Sequence, residues 1–190
     1  DGSTDRTVEV VKELQRLDHK IRLTSHAKNK GYGAAVKTGL KAATMDWIFF
    51  TDSDGQFHYD ELDKFVAASQ SADLVIGYRR KRMDPFHRVF VAQVLLKIWN
   101  FFLFGLTVRD VDCAYKLFKR EVRDSIKLET ESAITVTELL VKAKSLGYRI
   151  TQLPVTHYAR KFGEQTGGNW RVIAKAANES FKLRRKIRHV

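Results

Sequence analysis

Short apolar runs and stretches with the 3.6-residue period of an amphipathic helix alternate along this chain. The apolar runs predict strands at Ile21–Thr24, Trp47–Thr51, Leu74–Gly77 and Arg149–Val155, and one that ends near Phe118. The helical periods predict helices at Arg6–Leu17, Asp60–Gln70, Glu121–Ile126, Val136–Leu146 and Trp170–Arg188, and one from Gly33 to about Ala43. Strands that alternate with helices are typical of right-handed βαβ units, so we predict an α/β domain with a mostly parallel sheet flanked by helices.

The stretch Trp47–Gln56 is an apolar run of strand length that ends in two carboxylates one residue apart. In parallel α/β sheets, ligands bind beyond the carboxyl ends of the strands. Asp52 and Asp54 share a face if the strand period continues, because side chains two residues apart point the same way. Two converging carboxylates repel, and a divalent cation that bridges to phosphate would offset the repulsion. A simple turn is an equally good interpretation, since Asp and Asp-Gly are common in turns.

A glycine-containing loop, Lys28–Gly33, precedes the helix that ends near Ala43. The loop is not a P-loop, because the spacing G-x-x-x-x-G-K-[ST] is absent. It is not a dinucleotide-binding fingerprint either, because Val36 stands where the third glycine would be. The small residues Ala34, Ala35 and Gly39 permit a close approach of the backbone, either to a ligand or simply in packing.

The composition is that of an ordinary globular protein, with 44% hydrophobic and 29% charged residues in 190. The net charge is +12, from 34 Lys and Arg against 22 Asp and Glu. Such an excess favours nucleic acid, an anionic membrane or phosphorylated ligands as partners, or is a generic basic surface. No helix-turn-helix, zinc-finger or RNP motif accompanies it, which argues against nucleic acid. The single Cys113 is typical of a reducing compartment.

The stretch Pro85–Leu106 is apolar on most sides but is interrupted by polar residues. No run approaches the ~20 apolar residues that a membrane-spanning helix needs. We predict an interfacial helical segment over residues 85–106, although a buried core helix would show the same periodicity. Residues 170–190 are predicted to be a basic C-terminal helix. Because no repeat or linker interrupts the chain, residues 1–190 are expected to be a single domain.

Three motifs lie within the first part of the chain: Asp1–Asp5 (DGSTD), Asn29-x-Gly31 with Gly33, and Asp52–Gln56 (DSDGQ). In this order they resemble the family 2 glycosyltransferases of the GT-A fold. Later segments are similar to the dolichol- and polyprenol-phosphate sugar synthases, namely Asp110–Phe118, Glu138 with Gly147–Ile150 and Leu153–Val155, and His157–Gly167. Two positions depart from the pattern, where Ala114 replaces a usual Gly and Ala159 a common Pro.

The resemblance implies a GT-A, Rossmann-like fold whose first strand and P-x-Y-N-E motif are missing, so that the chain is expected to be a fragment. It also implies roles for individual residues. Asp54 would bind Mg²⁺ or Mn²⁺, and Asp52 would lie beside the metal, the sugar and the ribose. Gln56 would lie near the transferred sugar. Asp1 would bind the nucleotide base, with Asp5 in support. The remaining substrate-binding and catalytic candidates are Lys30 and Gly31, and the phosphate-binding arginines Arg79, Arg88 and Arg160.

The function implied is inverting transfer of a hexose from a nucleotide-diphosphate sugar to a polyprenyl or dolichyl phosphate. We expect the protein to be cytoplasmic and peripheral at the inner face of an anionic membrane. A phosphate acceptor is already ionised and needs little help from a base. A second hypothesis, a saccharide or glycolipid hydroxyl as acceptor, requires a base, which Asp110, Asp112 or Glu138 would supply. A third is a non-catalytic basic module that binds membrane or nucleic acid.

Overall fold

The computed structural model of the protein describes residues 1–80, 96–160 and 170–187. The strands are β1 (Trp47–Thr51), β2 (Leu74–Arg79), β3 (Tyr115–Lys119) and β4 (Ile150–Val155). A single 3-10 turn, Tyr59–Glu61, leads directly into the third helix. The helices are α1 (Thr7–Leu17), α2 (Tyr32–Ala42), α3 (Leu62–Ala68), α4 (Leu96–Phe104), α5 (Arg120–Ser125), α6 (Ile134–Ser145) and α7 (Trp170–Ile187).

The strands of the described chain form one sheet in the order β1-β3-β2-β4. Strands β1, β2 and β4 run in the same direction, whereas β3 lies between β1 and β2 and is antiparallel to both. The predicted α/β class with helices flanking the sheet is confirmed; three of the four described strands run in the same direction, and β3 makes two of the three strand pairs antiparallel. Strand β3 is antiparallel to its neighbours and therefore needs no crossover helix to pair with them. The alternation of strands and helices along the sequence does not reveal that β3 is inserted between β1 and β2.

Both faces of the sheet are covered, which explains why its strands read as continuous apolar runs. Successive residues of β2 and β3 point to opposite faces, so each strand contributes to two cores. One core joins the sheet to α2, α5 and α6 and contains Leu40, Leu74, Ile76, Phe118, Val122 and Leu140. The other core joins the sheet to α3 and contains Phe65, Val75, Tyr115, Leu117 and Val155.

Most predicted elements are found close to their predicted bounds. Helix α6 ends at Ser145, shortly before Gly147, whose φ of 79° suits glycine at a helix end. Pro154 lies in β4, which is an edge strand of the described sheet, as its missing N–H requires. Helix α3 is shorter than predicted, because its first turn is the 3-10 turn Tyr59–Glu61.

The strand predicted at Ile21–Thr24 is not formed, and this prediction is wrong. A strand needs a ladder partner, and this segment is held by side chains instead. Gln15 Nε2 donates to the Ile21 carbonyl at 3.1 Å, and Arg22 Nη2 donates to the Ala42 carbonyl at 3.0 Å. The segment is therefore fixed to α1 and to the end of α2 without belonging to the sheet.

Only the end of the predicted 85–106 segment lies in the described part of the chain, as helix α4. Arg88 lies outside the described residues. Phe102 is 76% exposed and Phe101 is 51% exposed, whereas Asn100 is buried, so α4 is not a helix of the core. Trp99 instead packs edge-on against Phe181 of α7, with ring centroids 5.1 Å apart. Within residues 1–80, 96–160 and 170–187, no helix has the length and apolar character needed to cross a bilayer.

Substitution by alanine at two glycines of α2 should have opposite effects on the stability of the fold. A methyl group on Gly33 would lie 2.2 Å from Thr135 Oγ1 and 2.5 Å from the Glu131 carbonyl carbon, whereas one on Gly39 would meet nothing within 4 Å. Gly39 therefore does not serve a close approach of α2 to another part of the described chain, and a close approach to a ligand stays a prediction. In the 190-residue chain, Gly33→Ala should lower the free energy of unfolding by about 1–3 kcal/mol through overpacking. Gly39→Ala should raise it by about 0.5–1 kcal/mol.

Urea unfolding of the two variants measures both effects, and each variant is the control for the other, since the change is identical and the helix is the same. Equal stability of the two variants would contradict the packing of Gly33 against residues 131–135.

Candidate functional site

Two loops that are distant in sequence meet beyond the end of β1. Arg160 Nη2 lies 2.7 Å from Asp54 Oδ2 and 3.4 Å from Gln56 Oε1. The loops are also joined through main-chain groups, because Gln56 Nε2 donates to the Tyr158 carbonyl at 3.1 Å and the Tyr158 amide donates to the Gln56 carbonyl at 3.0 Å. The structure therefore brings together three of the predicted catalytic residues, Asp54, Gln56 and Arg160.

Asp52 completes this group at the point where β1 ends. Burial raises the pKa of Asp52, and the charge of Asp54 raises it further, which shows that the two carboxylates are close enough to repel. Among the described residues, no group of three or more His, Cys, Asp or Glu side chains is arranged to hold a metal ion. A cation bound by this pair would take its other ligands from water and a phosphorylated substrate, which is how Mg²⁺ is usually held.

Two residues beside the pair were missed from the sequence. Lys116 of β3 is 1% exposed and donates from Nζ to the Val111 and Cys113 carbonyls. Burial lowers the pKa of Lys116 because it disfavours the ammonium form. At the start of α2, burial raises the pKa of Tyr32, and the charges of Asp52, Asp112 and Asp54 add to the rise. The signals in the sequence that could have identified these two residues are a charged side chain within an apolar strand, at Lys116, and an aromatic side chain between two glycines, at Tyr32.

Arg79 has a carboxylate partner in the structure. Its Nε and Nη2 atoms each lie 2.7 Å from an oxygen of Asp110, and its amide donates to Asp110 Oδ2 at 3.2 Å. The Arg79 side chain is only 9% exposed. This bidentate pair fixes the loop that leads into β3 against the end of β2. Binding of a substrate phosphate by Arg79 stays a prediction, and it would compete with Asp110.

The N-terminal turn is fixed to the glycine-containing loop through Asp1. The Asp1 carboxylate accepts hydrogen bonds from the amides of Lys30 at 3.0 Å and Gly31 at 2.8 Å, and His26 Nδ1 lies 2.6 Å from it. The charges of Asp52 and Asp54 raise the pKa of Tyr32, the next residue after Gly31, so this turn lies within electrostatic range of the acidic pair. Asp5 instead accepts a hydrogen bond from the Thr7 amide at 3.0 Å, at the start of α1.

A cavity of about 450 Å³ lies on the other side of Asp1, between the segment after α1 and helix α2. Neither Asp52 nor Asp54 lines it, so this cavity is separate from the acidic pair. Its lining residues are Asp1, Lys20, Arg22, Leu23, Thr24, His26, Ala35, Thr38, Gly39, Ala42 and Ala43.

Two carboxylates hold the loop at residues 129–132, which packs on Gly33. Glu138 is fully buried and accepts hydrogen bonds from the amides of Glu129 and Thr130, the Thr130 hydroxyl and Lys142 Nζ. Glu179 Oε2 of α7 accepts from the Ser132 hydroxyl at 2.7 Å and from the amides of Glu131 and Ser132. The Glu138 carboxylate is therefore saturated by structural hydrogen bonds.

Comparison with known proteins gives the arrangement a context. The family described as "Glycosyl transferase family 2" matches residues 1–126. The low-salt glycan biosynthesis hexosyltransferase Agl6 of Haloferax volcanii is 25% identical over 169 residues, which cover 85% of this chain and 39% of that protein. The uncharacterized glycosyltransferase Mb0553 of Mycobacterium bovis is 32% identical over 146 residues, which cover 75% of this chain and 64% of that protein.

Among solved structures, this chain is similar to glucosyl-3-phosphoglycerate synthase from Mycobacterium tuberculosis in complex with Mn²⁺, UDP-glucose and phosphoglyceric acid. The TM-score is 0.62 at 18% identity, over 94% of this chain and 66% of that one. At this identity the likeness confirms the GT-A fold. The chain spans less than two thirds of the length of each of these relatives.

Removing the charge of Asp52 should stabilise the metal-free protein. The pKa of Asp52 is raised on folding, so the folded state holds this proton more tightly than the unfolded chain, and ionisation of Asp52 destabilises the fold. Asp52→Asn should therefore raise the free energy of unfolding at pH 7 by on the order of 1 kcal/mol, a common gain for stabilising substitutions. The gain should vanish at a pH below the ordinary pKa of aspartate, where both states are protonated.

Urea unfolding in the presence of EDTA at neutral and acidic pH measures this difference. Asp63→Asn, an identical change at an exposed position in the first turn of α3, is the control and should not stabilise. A destabilised Asp52→Asn protein at pH 7, or a gain that persists in acid, would contradict the cost that burial and the charge of Asp54 impose on the ionised Asp52.

Proposed function

Because the chain belongs to glycosyl transferase family 2, we propose that it supplies the catalytic domain of an enzyme that transfers a hexose, with inversion, from a nucleotide-diphosphate sugar to a polyprenyl or dolichyl phosphate. The observation that carries this proposal is the acidic pair Asp52 and Asp54 beside Arg160, within electrostatic range of Tyr32 in the loop that holds Asp1. This arrangement places anion-binding groups next to carboxylates that can share a cation with a diphosphate.

Asp54 and Asp52 would hold Mg²⁺ or Mn²⁺, consistent with the Mn²⁺ and UDP-glucose in the mycobacterial synthase complex. When bound, the ion would neutralise charge that develops on the leaving diphosphate. Asp1, Lys30 and Gly31 form one hydrogen-bonded turn, which we assign to the nucleotide. Gln56 is fixed by Tyr158 and would contact the transferred sugar.

The proposal also specifies the acceptor, a lipid phosphate and not a hydroxyl group. A hydroxyl acceptor needs a general base, and two of the three candidates are committed to other bonds: Asp110 is paired with Arg79, and Glu138 is saturated. A phosphate acceptor is already ionised and needs only to be oriented. Arg160 would bind it, together with Arg88 outside the described residues, and Arg79 would join them only by releasing Asp110.

A membrane surface fits the exposed part of α4 and α7. Ile98, Phe101 and Phe102 project from α4, and the contact between Trp99 and Phe181 sets them beside α7. The last turns of α7 carry Lys182, Arg184, Arg185 and Lys186. Each basic residue near an anionic leaflet contributes about 1 kcal/mol to binding. We propose that the protein is peripheral at the cytoplasmic face of the membrane, where its lipid acceptor would be found.

Transfer should depend on Asp54 and on a lipid phosphate. The test uses full-length protein, a panel of nucleotide sugars with Mg²⁺ or Mn²⁺, and three acceptors: polyprenyl phosphate, a free saccharide and 3-phosphoglycerate. Asp54→Asn should lower kcat/KM at least about 100-fold, since charge stabilisation by a metal is worth several kcal/mol. Asp63→Asn should leave it unchanged. Transfer to the saccharide alone would favour the hydroxyl-acceptor hypothesis, and full activity of Asp54→Asn would overturn the metal role.

Membrane binding should depend on α4. Phe102→Ser should weaken binding to vesicles that contain phosphatidylserine by about tenfold, since burial of a Phe side chain is worth roughly 1.5–3 kcal/mol. Leu17→Ser, which removes an 85% exposed apolar side chain from α1, is the matched control and should change nothing. Vesicle co-sedimentation at two salt concentrations measures binding. Equal binding of wild type and Phe102→Ser would contradict the assignment of this surface.

A further inference from the structure

We propose that Arg160 is a built-in counter-cation of Asp54, which must leave this carboxylate before a divalent cation can bind there. The proposal rests on the proposed metal role of Asp54 and gives Arg160 a second role besides that of a phosphate ligand. In the structure, Arg160 Nη2 lies 2.7 Å from Asp54 Oδ2, and the two side chains are 28% and 16% exposed. The guanidinium therefore occupies a partly desolvated oxygen that the metal needs.

The two oxygens of Asp54 are not equally free to change partners. Oδ1 accepts a hydrogen bond from the Gln56 amide at 3.1 Å, which belongs to the turn itself. Oδ2 is instead held by the Arg160 side chain, so it can be vacated without opening the turn. A divalent cation would lie about 2.1 Å from this oxygen, where a guanidinium left in place would repel it at close range. The two cations therefore exclude each other at Asp54.

Arg160 can leave without separating the two loops. The hydrogen bonds between Gln56 and Tyr158 involve both main chains and do not include Arg160, so they hold the loops together while its side chain moves. Within the described residues, Arg160 Nε is buried and has no hydrogen-bond partner. The pair with Asp54 therefore leaves part of the guanidinium unsatisfied, and a phosphate can accept two parallel hydrogen bonds from it.

This exchange couples metal and phosphate. The measured metal affinity is the intrinsic affinity multiplied by the fraction of molecules in which Asp54 is free. A phosphate that captures Arg160 raises this fraction, and by linkage a bound metal raises the affinity for the phosphate. Arg160 thus keeps Asp54 neutralised in the empty site, and its charge becomes more available to substrate when a metal replaces it.

Mn²⁺ binding to the full-length protein, without nucleotide, tests the proposal through the electron paramagnetic resonance signal of free Mn²⁺. Arg160→Gln should bind Mn²⁺ at least about threefold more tightly than wild type, as expected if Arg160 occupies Asp54 in two thirds or more of the molecules. Arg160→Lys keeps the charge and should lie closer to wild type. Arg149→Gln is the matched control, because it breaks a remote pair with Asp73 and should have no effect.

Unchanged or weaker binding by Arg160→Gln, with its thermal unfolding intact, would overturn the competition. So would equally tight binding by the Gln and Lys variants. Asp54→Asn separates this proposal from the proposed function: if it binds Mn²⁺ as well as wild type does, the metal role of Asp54 fails, whatever Arg160 does. If Asp54→Asn abolishes binding while Arg160→Gln matches wild type, the metal role stands and only the competition fails.

Discussion

The repulsion between Asp52 and Asp54 is the constraint around which the site is built. Burial of Asp52 at the end of β1 raises its pKa, and the charge of Asp54 raises it further, so ionisation of both carboxylates destabilises the fold unless cations lie nearby. The described chain supplies Arg160 in direct contact with Asp54, and Lys116, Arg160 and Arg79 each act to lower the pKa of Asp52. The acidic pair is therefore held in a shell of positive charge that comes from three separate segments.

The antiparallel strand β3 explains how one of these charges reaches the site. In its register with β1, Lys116 lies opposite Phe50, so Lys116 is on the face to which Asp52 belongs if the strand period continues. A buried ammonium is costly, and its hydrogen bonds to the Val111 and Cys113 carbonyls offset part of that cost. Those bonds also fix the loop that contains Asp110, the partner of Arg79. Placing β3 between β1 and β2 thus organises two of the three cations.

The sequence predicted those features that depend on local pattern or on a motif. Helix α1 was predicted from the spacing of Val8, Val11 and Leu14, because helical periodicity is set by neighbours along the chain. The resemblance alone assigned Asp54 and Arg160, 106 residues apart, to one site, and their direct ion pair was not predicted. The pair of Arg79 with Asp110 was not predicted, since nothing local in either residue identifies its partner. The strand predicted at Ile21–Thr24 is not formed for a related reason. A strand needs a neighbouring strand to hydrogen-bond with, and its own sequence does not show whether that neighbour is present.

The loop at residues 129–132 shows that the C-terminal helix belongs to the same structure as the site. Glu179 of α7 satisfies the amides at the start of α6, and Lys186 Nζ lies 3.0 Å from Glu129 Oε1. The loop in turn packs on Gly33 so closely that no side chain fits between them, and the adjacent Gly31 amide holds Asp1. The contacts between α7 and the loop are short and polar, and the contact between the loop and Gly33 leaves no free volume. A displacement of α7 from the domain would therefore remove support from the loop on which the glycine-containing turn is packed.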